Sequence, residues 1–524
     1  MERFKKLQSQ ILKSFEFRKD HLAFYAITSM LGIVTTTYFL INSEAGRGWA
    51  AKGLPLDDTW IHLVYAKNLA EHGWFFYNPG VPAAGMSSPL WVILLAIPLR
   101  IGLDPSAAAK VLSILFGLIA PIVIYHLALE MTERPLVAWI AGIFAAVEPN
   151  LGFARVSGME VTLLAFLMSL ALLFLLREEY SLFGLVLGLG VITRGEVAIF
   201  GIVVGGIILA RQYIQREELT VATMEEIKLA ARLFLPSLLL GGAWTVFNFS
   251  VSGTPLPNTY YVKHNYDLGL INPENLYNIW MGYFRHAALT RMWLVIPVAG
   301  LFLVGAYALI KKLGFKSIPI LVMPWLFVFS LSNNLALNPA EWNFTARRYL
   351  DFIWPVLAVP VAYGIVWLWE YLRSYKMRWL ILGAPLAYGA FGVALMITSF
   401  VRLASLASEY SWNCRNIEEV SVAMGKWVKN NLPPGGRIGV SGAGALRYFG
   451  GRETFDLLGL NLSQSIGRPL DELILEYQPE FLILFRSSAI DSWSFLEEVF
   501  NIKPERNTIL GGSDLVVYEF LGNQ

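Results

Sequence analysis

Eleven apolar segments punctuate this chain and leave it few folds other than a bundle of membrane-spanning helices. A spanning helix needs about 20 apolar residues. The candidates lie near 22–41, 107–129, 135–149, 158–176, 181–193, 195–211, 229–250, 292–310, 317–332, 348–371 and 379–402. Of the 524 residues 56% are hydrophobic and only 15% charged, against about a quarter charged in a soluble domain. The chain therefore reads as a polytopic α-helical membrane protein. A net charge of +2 gives no reason to expect nucleic acid as a partner, and the single cysteine, Cys414, excludes an intrachain disulfide and a multi-cysteine zinc site. The basic N-terminal stretch, MERFKKLQSQILKSFEFRKD, precedes an apolar run with no small-residue cleavage site, so an uncleaved first span is expected.

A twelfth apolar segment, 89–103, is short and holds Pro98 and Arg100. Basic loops mark the cytosolic side, and they decide how to treat it. If 89–103 lies at the interface, the basic N-terminus and the loops at Arg134, Arg177, Arg211 to Lys228, Lys311/Lys312/Lys316 and Arg373/Lys376/Arg378 all fall inside. If it spans, those loops move outside. The rule selects about 11 transmembrane helices in a multi-pass cell-membrane protein, N-terminus cytoplasmic and C-terminal domain extracytoplasmic. Segments 42–90, 148–158, 193–196, 252–291, 332–349 and everything after Leu403 then face outward. After Leu403 short apolar runs (RIGVSG, EFLILF, DLVVYEF) alternate with helix-like stretches, which predicts a transmembrane domain over 1–402 and an extracytoplasmic α/β domain over 403–524. Within it SGAGALRYF (441–449) reads as strand, glycine turn and helix. Arg447 stands where a dinucleotide fingerprint has its third glycine, so a tight structural turn is the preferred reading.

The outward segments carry the unusual polar residues. In the long first outer loop, 42–90, Asp57 and Asp58 precede an amphipathic pattern over 59–72 that ends at Gly73. Such a helix suits the interface plane, with Asp58 as its N-cap. One aspartate suffices for a cap. A pair at headgroup depth could also deprotonate an acceptor hydroxyl or hold a divalent cation, Mg or Mn, against a phosphate. Asp57 is expected to be the base and Asp58 to support the helix start or a cation. His62, four residues on, shares the face of Asp58 and reads first as a polar interfacial position. Elsewhere Glu160 opens a span, Arg194 and Glu196 sit between two short ones, Asn258, Tyr260, Lys263 and His264 lie in a long loop, and Arg347, Arg348 and Tyr349 head another span. Taken singly, each has an ordinary reading as a cap, a local ion pair or a snorkelling cation. Together they put cations and carboxylates on one side, which suits a phosphate-bearing substrate.

The stretch LPLDDTWIHLVYAKNLAEHGWFFYNPGVPAAGMSSPLW resembles the first outer loop of GT-C membrane glycosyltransferases, in particular the branch of the mycobacterial terminal β-arabinofuranosyltransferase. SGMEVTLLAF, TRGE, GTPLPNTYYVK, RRYLDFIWPVLA and SGAGALRYFGGRETFDLLGL follow in the matching order. Gly195 stands where that family often has proline, and Thr59-Trp60 where an aromatic-Ile pair is commoner. The resemblance implies a polyprenyl-phosphate-linked sugar donor, inverting transfer outside the membrane to a glycan, glycolipid or protein acceptor, and a catalytic role for Asp57 or Asp58. Arg347, Arg348, Lys263 and Arg194 would neutralise the donor phosphate, with His62, Glu160, Glu196, Asn258, Tyr260, His264 and Tyr349 around the substrates. Membrane lipids are the other expected partner. The rival readings are a transporter of a lipid-linked or anionic substrate, which would carry charges along the span centres, and a membrane-anchored binding protein.

Overall fold

The computed structural model describes residues 19–214, 224–264, 273–274, 276–279, 281, 292–332, 343–374 and 378–522. The basic residues Lys5, Lys6, Lys13, Arg18 and Lys376 and the side chain of His264 lie outside the described residues. Among those described, His21–Leu40, Pro105–Thr132, Val197–Ile214, Met224–Ser252, Val295–Ser330, Asp351–Ser374 and Gly392–Asn431 are long and apolar enough to cross a membrane. The pair Pro135–Val147 and Pro149–Val156, bent by 51°, makes an eighth if it counts as one broken span rather than a re-entrant loop. Val161–Leu176 and Tyr180–Val191 are apolar but shorter. Val295–Ser330 joins two of the predicted segments through a 3-10 turn, Gly314–Ser317. Every one of the eleven predicted segments thus lies on a helix. Segment 89–103 forms the 12-residue helix Pro89–Arg100, about 18 Å long, well short of a hydrocarbon core of about 30 Å. It packs against the Asp57–His72 helix.

The bend after Val147 has a buried cause. Breaking a helix leaves carbonyls without partners, and the fully buried Arg155 reaches back to the carbonyl of Ala146 at 2.7 Å. Its other nitrogens donate to the Gly117 carbonyl at 3.1 Å and the Thr35 hydroxyl at 2.9 Å. Any side chain at Gly117 would collide with this arginine, since a Cβ there falls 2.4 Å from Arg155 Cγ.

The last spanning helix, Arg378–Asn416, does not stop where the polar composition begins. It continues through Ile417–Val422 and Ala423–Asn431 into the C-terminal domain. Beside it lies a five-stranded mixed sheet of β3 (Ile438–Val440), β4 (Thr454–Asp456), β5 (Phe481–Phe485), β6 (Leu496–Ile502) and β7 (Leu515–Phe520), in the order β4-β3-β5-β7-β6. β4, β3 and β5 run parallel, and β7 pairs antiparallel with β5 and β6. The predicted runs RIGVSG, EFLILF and DLVVYEF are β3, β5 and β7. β4 and β6 were not anticipated: β4 begins and ends on polar residues, Thr454 and Asp456, and β6 is an edge strand carrying the exposed Glu497 and Glu498.

The 42–90 loop docks on this domain. Its hairpin, β1 (Phe76–Asn78) and β2 (Val81–Pro82), exchanges two hydrogen bonds between the Asn78 amide and the backbone of Thr454, at 3.0 and 3.1 Å. The Tyr77 hydroxyl donates to the Ala443 carbonyl at 2.8 Å, and the Tyr65 hydroxyl to Asn461 at 3.0 Å. Beyond its two aspartates the first half of the amphipathic helix is covered on all sides, while Lys67 and Glu71 further along keep contact with solvent. Residues Thr59 to Ala66 are all buried, because the C-terminal domain covers what would otherwise face solvent: the Trp60 ring lies against Tyr448 and Phe449, with centroids 5.0 and 4.7 Å away.

Candidate functional site

The helix begins at Asp57, with Leu56 as its N-cap. The expectation that Asp58 caps it is corrected: both aspartates lie inside the first turn, where a negative charge complements the helix dipole, and their side chains leave in different directions. The carboxylate of Asp57 accepts the backbone N–H groups of Gly444 and Ala445 at 2.9 and 2.8 Å. These donors belong to the glycine turn after β3, at the start of the short helix Ala445–Gly450. Gly444 is required by the closeness of this approach, since a Cβ there would fall 2.1 Å from the Asp57 carbonyl oxygen. Burial pushes the Asp57 carboxyl up to about 6, even though the two N–H donors favour its charged form.

Asp58 points the other way, into a cluster of cations. Its carboxylate meets the Arg348 guanidinium at 2.5 Å and the Lys263 ammonium at 3.8 Å. Asp58 retains 34% of its side-chain exposure where Arg348 retains 4%, so the carboxylate is the open member of the pair. Burial disfavours its charge, but Arg348 and Lys263 outweigh that cost and hold the carboxyl well below the usual range. Lys263 also donates to the Tyr349 hydroxyl at 2.8 Å. The Tyr349 ring lies under the guanidinium of Arg194 at 4.3 Å and beside that of Arg348 at 5.3 Å. Burial would raise the Tyr349 phenol, yet the three surrounding cations bring it down to about 8.

The cluster extends through Arg194, which pairs with Glu160 at 3.3 Å and Glu196 at 3.4 Å. Glu160, just before the helix Val161–Leu176, in turn faces His62 at 3.8 Å. Both are buried, and Glu160 Oε2 and His62 Nδ1 have no hydrogen-bond partner among the described residues. Burial lowers the His62 pKa, so this ring is neutral in spite of its acidic neighbours. Asn258 is buried near the same loop, its backbone N–H on the Ala84 carbonyl at 2.9 Å.

Two predicted residues stand apart. Arg347 is buried on the opposite side of its turn, bound to Glu409 at 2.8 Å and Asn150 at 2.9 Å, with Asp351 at 3.7 Å. It belongs to a network that ties the Pro149–Val156 helix to the last span. Tyr260 is half-buried and packs its ring against Tyr261. Gly444, Tyr77 and Arg155 were not selected from the sequence. The fingerprint-like turn was the one available signal for Gly444.

The arrangement does not fit a divalent cation. Both Asp57 oxygens already accept N–H groups, and Asp58 faces two positive side chains that would repel one. Among the described residues no three His, Cys, Asp or Glu side chains form a possible metal site.

Residues 413–518 match a domain of unknown function, DUF8728. No curated protein sequence matches the chain. Among solved structures, ArnT from Cupriavidus metallidurans bound to undecaprenyl phosphate is similar over 96% of this chain and 99% of its own, at 13% identity and a TM-score of 0.57. The oligosaccharyltransferase AglB from Archaeoglobus fulgidus, in complex with an inhibitory peptide and a dolichol-phosphate, is similar over 90% of this chain and 70% of its own, at 14% identity and a TM-score of 0.57. The fold is therefore GT-C: a polytopic α-helical membrane protein with a C-terminal α/β domain.

Proposed function

We propose that this chain is an inverting glycosyltransferase. It moves a sugar from a polyprenyl-phosphate donor to an acceptor hydroxyl on the outer face of the cell membrane, with Asp58 as the base. The observation that carries this reading is the open Asp58 carboxylate held against Arg348 and Lys263. The bond to be broken joins the anomeric carbon to a phosphate oxygen, already a good leaving group, so no strong acid is needed. The acceptor oxygen attacks the anomeric carbon from the opposite face and its proton passes to Asp58. The electron pair of the broken bond leaves on the lipid phosphate, which Arg348 and Lys263 neutralise. The planar guanidinium suits phosphate oxygens, and the transition state is oxocarbenium-like.

A carboxylate held this far below its usual pKa is a weak base, and the donor itself relieves this. An incoming phosphate competes with Asp58 for the same two cations. As they turn to the phosphate, Asp58 loses their stabilisation and gains proton affinity where the acceptor hydroxyl must be deprotonated. The charge that a divalent cation could supply is carried by Arg348, Lys263 and Arg194, so the reaction is proposed to need no metal. The ordered motifs shared with the branch of the mycobacterial terminal β-arabinofuranosyltransferase support a role in cell-envelope glycan synthesis.

Proteoliposomes holding the full chain, loaded with a panel of undecaprenyl-phosphate-linked pentoses and hexoses, test this reading. At least one donor is expected to release undecaprenyl phosphate when acceptor glycan is added. Failure of every donor, with the protein folded, would reject it.

A further inference from the structure

A second feature lies at the other end of the helix Val161–Leu176, whose 16 residues carry it about 24 Å away from Glu160. A cavity of about 390 Å³ opens there. Its walls are apolar, with Met131, Leu172, Leu176 and Leu229 among them, and its polar lining includes Arg211, Arg232 and Lys316. The acids around it are already engaged: Glu178 pairs with Lys316 at 2.7 Å, and Glu225 with Lys228 at 2.7 Å. Arg211 and Arg232 form no ion pair within 4 Å among the described residues; Arg211 lies across the Phe315 ring at 5.8 Å and near Tyr180, and Arg232 is near Glu225, whose carboxylate is already paired with Lys228. The surrounding surface carries exposed Ile214, Ile227 and Phe315, as a lipid-facing helix end does.

We propose that this cavity binds an anionic glycerophospholipid, its phosphate on Arg211 and Arg232 and its upper acyl carbons against the apolar wall. The chemistry needed is a phosphate with an apolar tail attached. A free anion would leave Met131, Leu172 and Leu176 unsatisfied, and a zwitterionic headgroup would bring its own cation toward two arginines. Basic pockets between spanning helices recognise lipid phosphates in this way. The site is separate from Asp58 and does not depend on the proposed transfer reaction.

The test uses the purified full chain in neutral detergent with dioleoyl phosphatidylglycerol, dioleoyl phosphatidylcholine or inorganic phosphate. Phosphatidylglycerol is expected to remain bound in native mass spectrometry and to raise the Tm, while the other two do neither. The double variant Arg211→Gln/Arg232→Gln is expected to lose about 30-fold in phosphatidylglycerol affinity, at about 1 kcal/mol per arginine, while Arg211→Lys/Arg232→Lys retains most of it. If the glutamine variant does not fold, Leu176→Trp, which fills the cavity and keeps both charges, is expected to displace the lipid in its place. Equal binding of phosphatidylcholine, equal stabilisation by inorganic phosphate, or unchanged phosphatidylglycerol binding in the folded variants would each overturn the proposal.

Discussion

Asp58 and Arg348 stand 290 positions apart in the chain, and their side chains meet at 2.5 Å. The contact joins the 42–90 loop to the head of the Asp351–Ser374 span, and so requires both to lie on the same side of the membrane. On the reading proposed here Asp58→Asn removes the base. A positioned general base contributes about 10²–10⁴-fold, and a drop in kcat of about 10³-fold is expected, with the donor KM lowered because the phosphate no longer competes with a carboxylate for Arg348 and Lys263. Transfer assayed in proteoliposomes checks this. Turnover within a few-fold of the parent protein would remove Asp58 from the mechanism.

Neighbouring arginines are expected to part company under mutation. Arg348→Gln leaves the donor phosphate without its fork and exposes Asp58, so the donor KM rises and kcat falls while the fold survives. Arg347→Gln instead strips the partner from buried Asp351 and from Glu409. Breaking a buried pair costs about 3–5 kcal/mol, seen as a Tm lower by several degrees, with the activity of the surviving folded fraction near normal. Thermal unfolding and donor kinetics on the same preparations separate the two.

Charge in an apolar chain is what made this site legible. Asp57, Asp58, Lys263 and Arg348 stand out because they lie beside apolar segments of a chain in which only 15% of residues are charged, and burying one without a partner is costly. The division of labour between the aspartates was not legible. It depends on donors at Gly444 and Ala445, 387 and 388 positions away, and no local pattern near residue 57 encodes them. The burial of Thr59 to Ala66 on every side was not legible for the same reason, because the domain that covers them comes from the far end of the chain. Arg155 went unselected because its role is to satisfy carbonyls at a helix break; the apolar segment ends at that break, and 148–158 reads as a polar connection rather than as a buried helix.

Tyr349 predicts an alkaline limit. Its phenol, brought down to about 8 by Lys263, Arg348 and Arg194 against the opposing effect of burial, is neutral at pH 7 and anionic by pH 9. The phenolate would repel the donor phosphate and hold Lys263 to itself. Donor KM is therefore expected to rise as pH passes 8, and Tyr349→Phe to remove that limb. A KM profile with the same alkaline rise in the phenylalanine variant would assign the limb to another group.

The metal reading is tested by depletion. With Asp58 occupied by two cations and Asp57 by two N–H groups, turnover in EDTA is expected to match turnover in Mg or Mn. Activity lost in chelator and restored by one of those metals would mean that Asp58 leaves Arg348 and Lys263 to bind it.

Asp57 is expected to act through the C-terminal domain. Its folded pKa of about 6 lies above the 3.8 of a free aspartate, so the native state binds the extra proton. The stability it contributes is therefore present below pH 4 and lost as pH rises through 6. Asp57→Asn should flatten that part of the Tm profile, leaving the residual slope from Asp456, which burial also raises to about 6. Gly444→Ala drives a Cβ into Asp57 and should loosen the same clasp, lowering kcat about 10-fold, since small displacements of a catalytic group are costly. Because both changes break one contact, the double variant is expected to be little worse than either single one. Additive losses in kcat would show that Asp57 and the glycine turn serve transfer separately, and would return Asp57 to the list of candidates for the base.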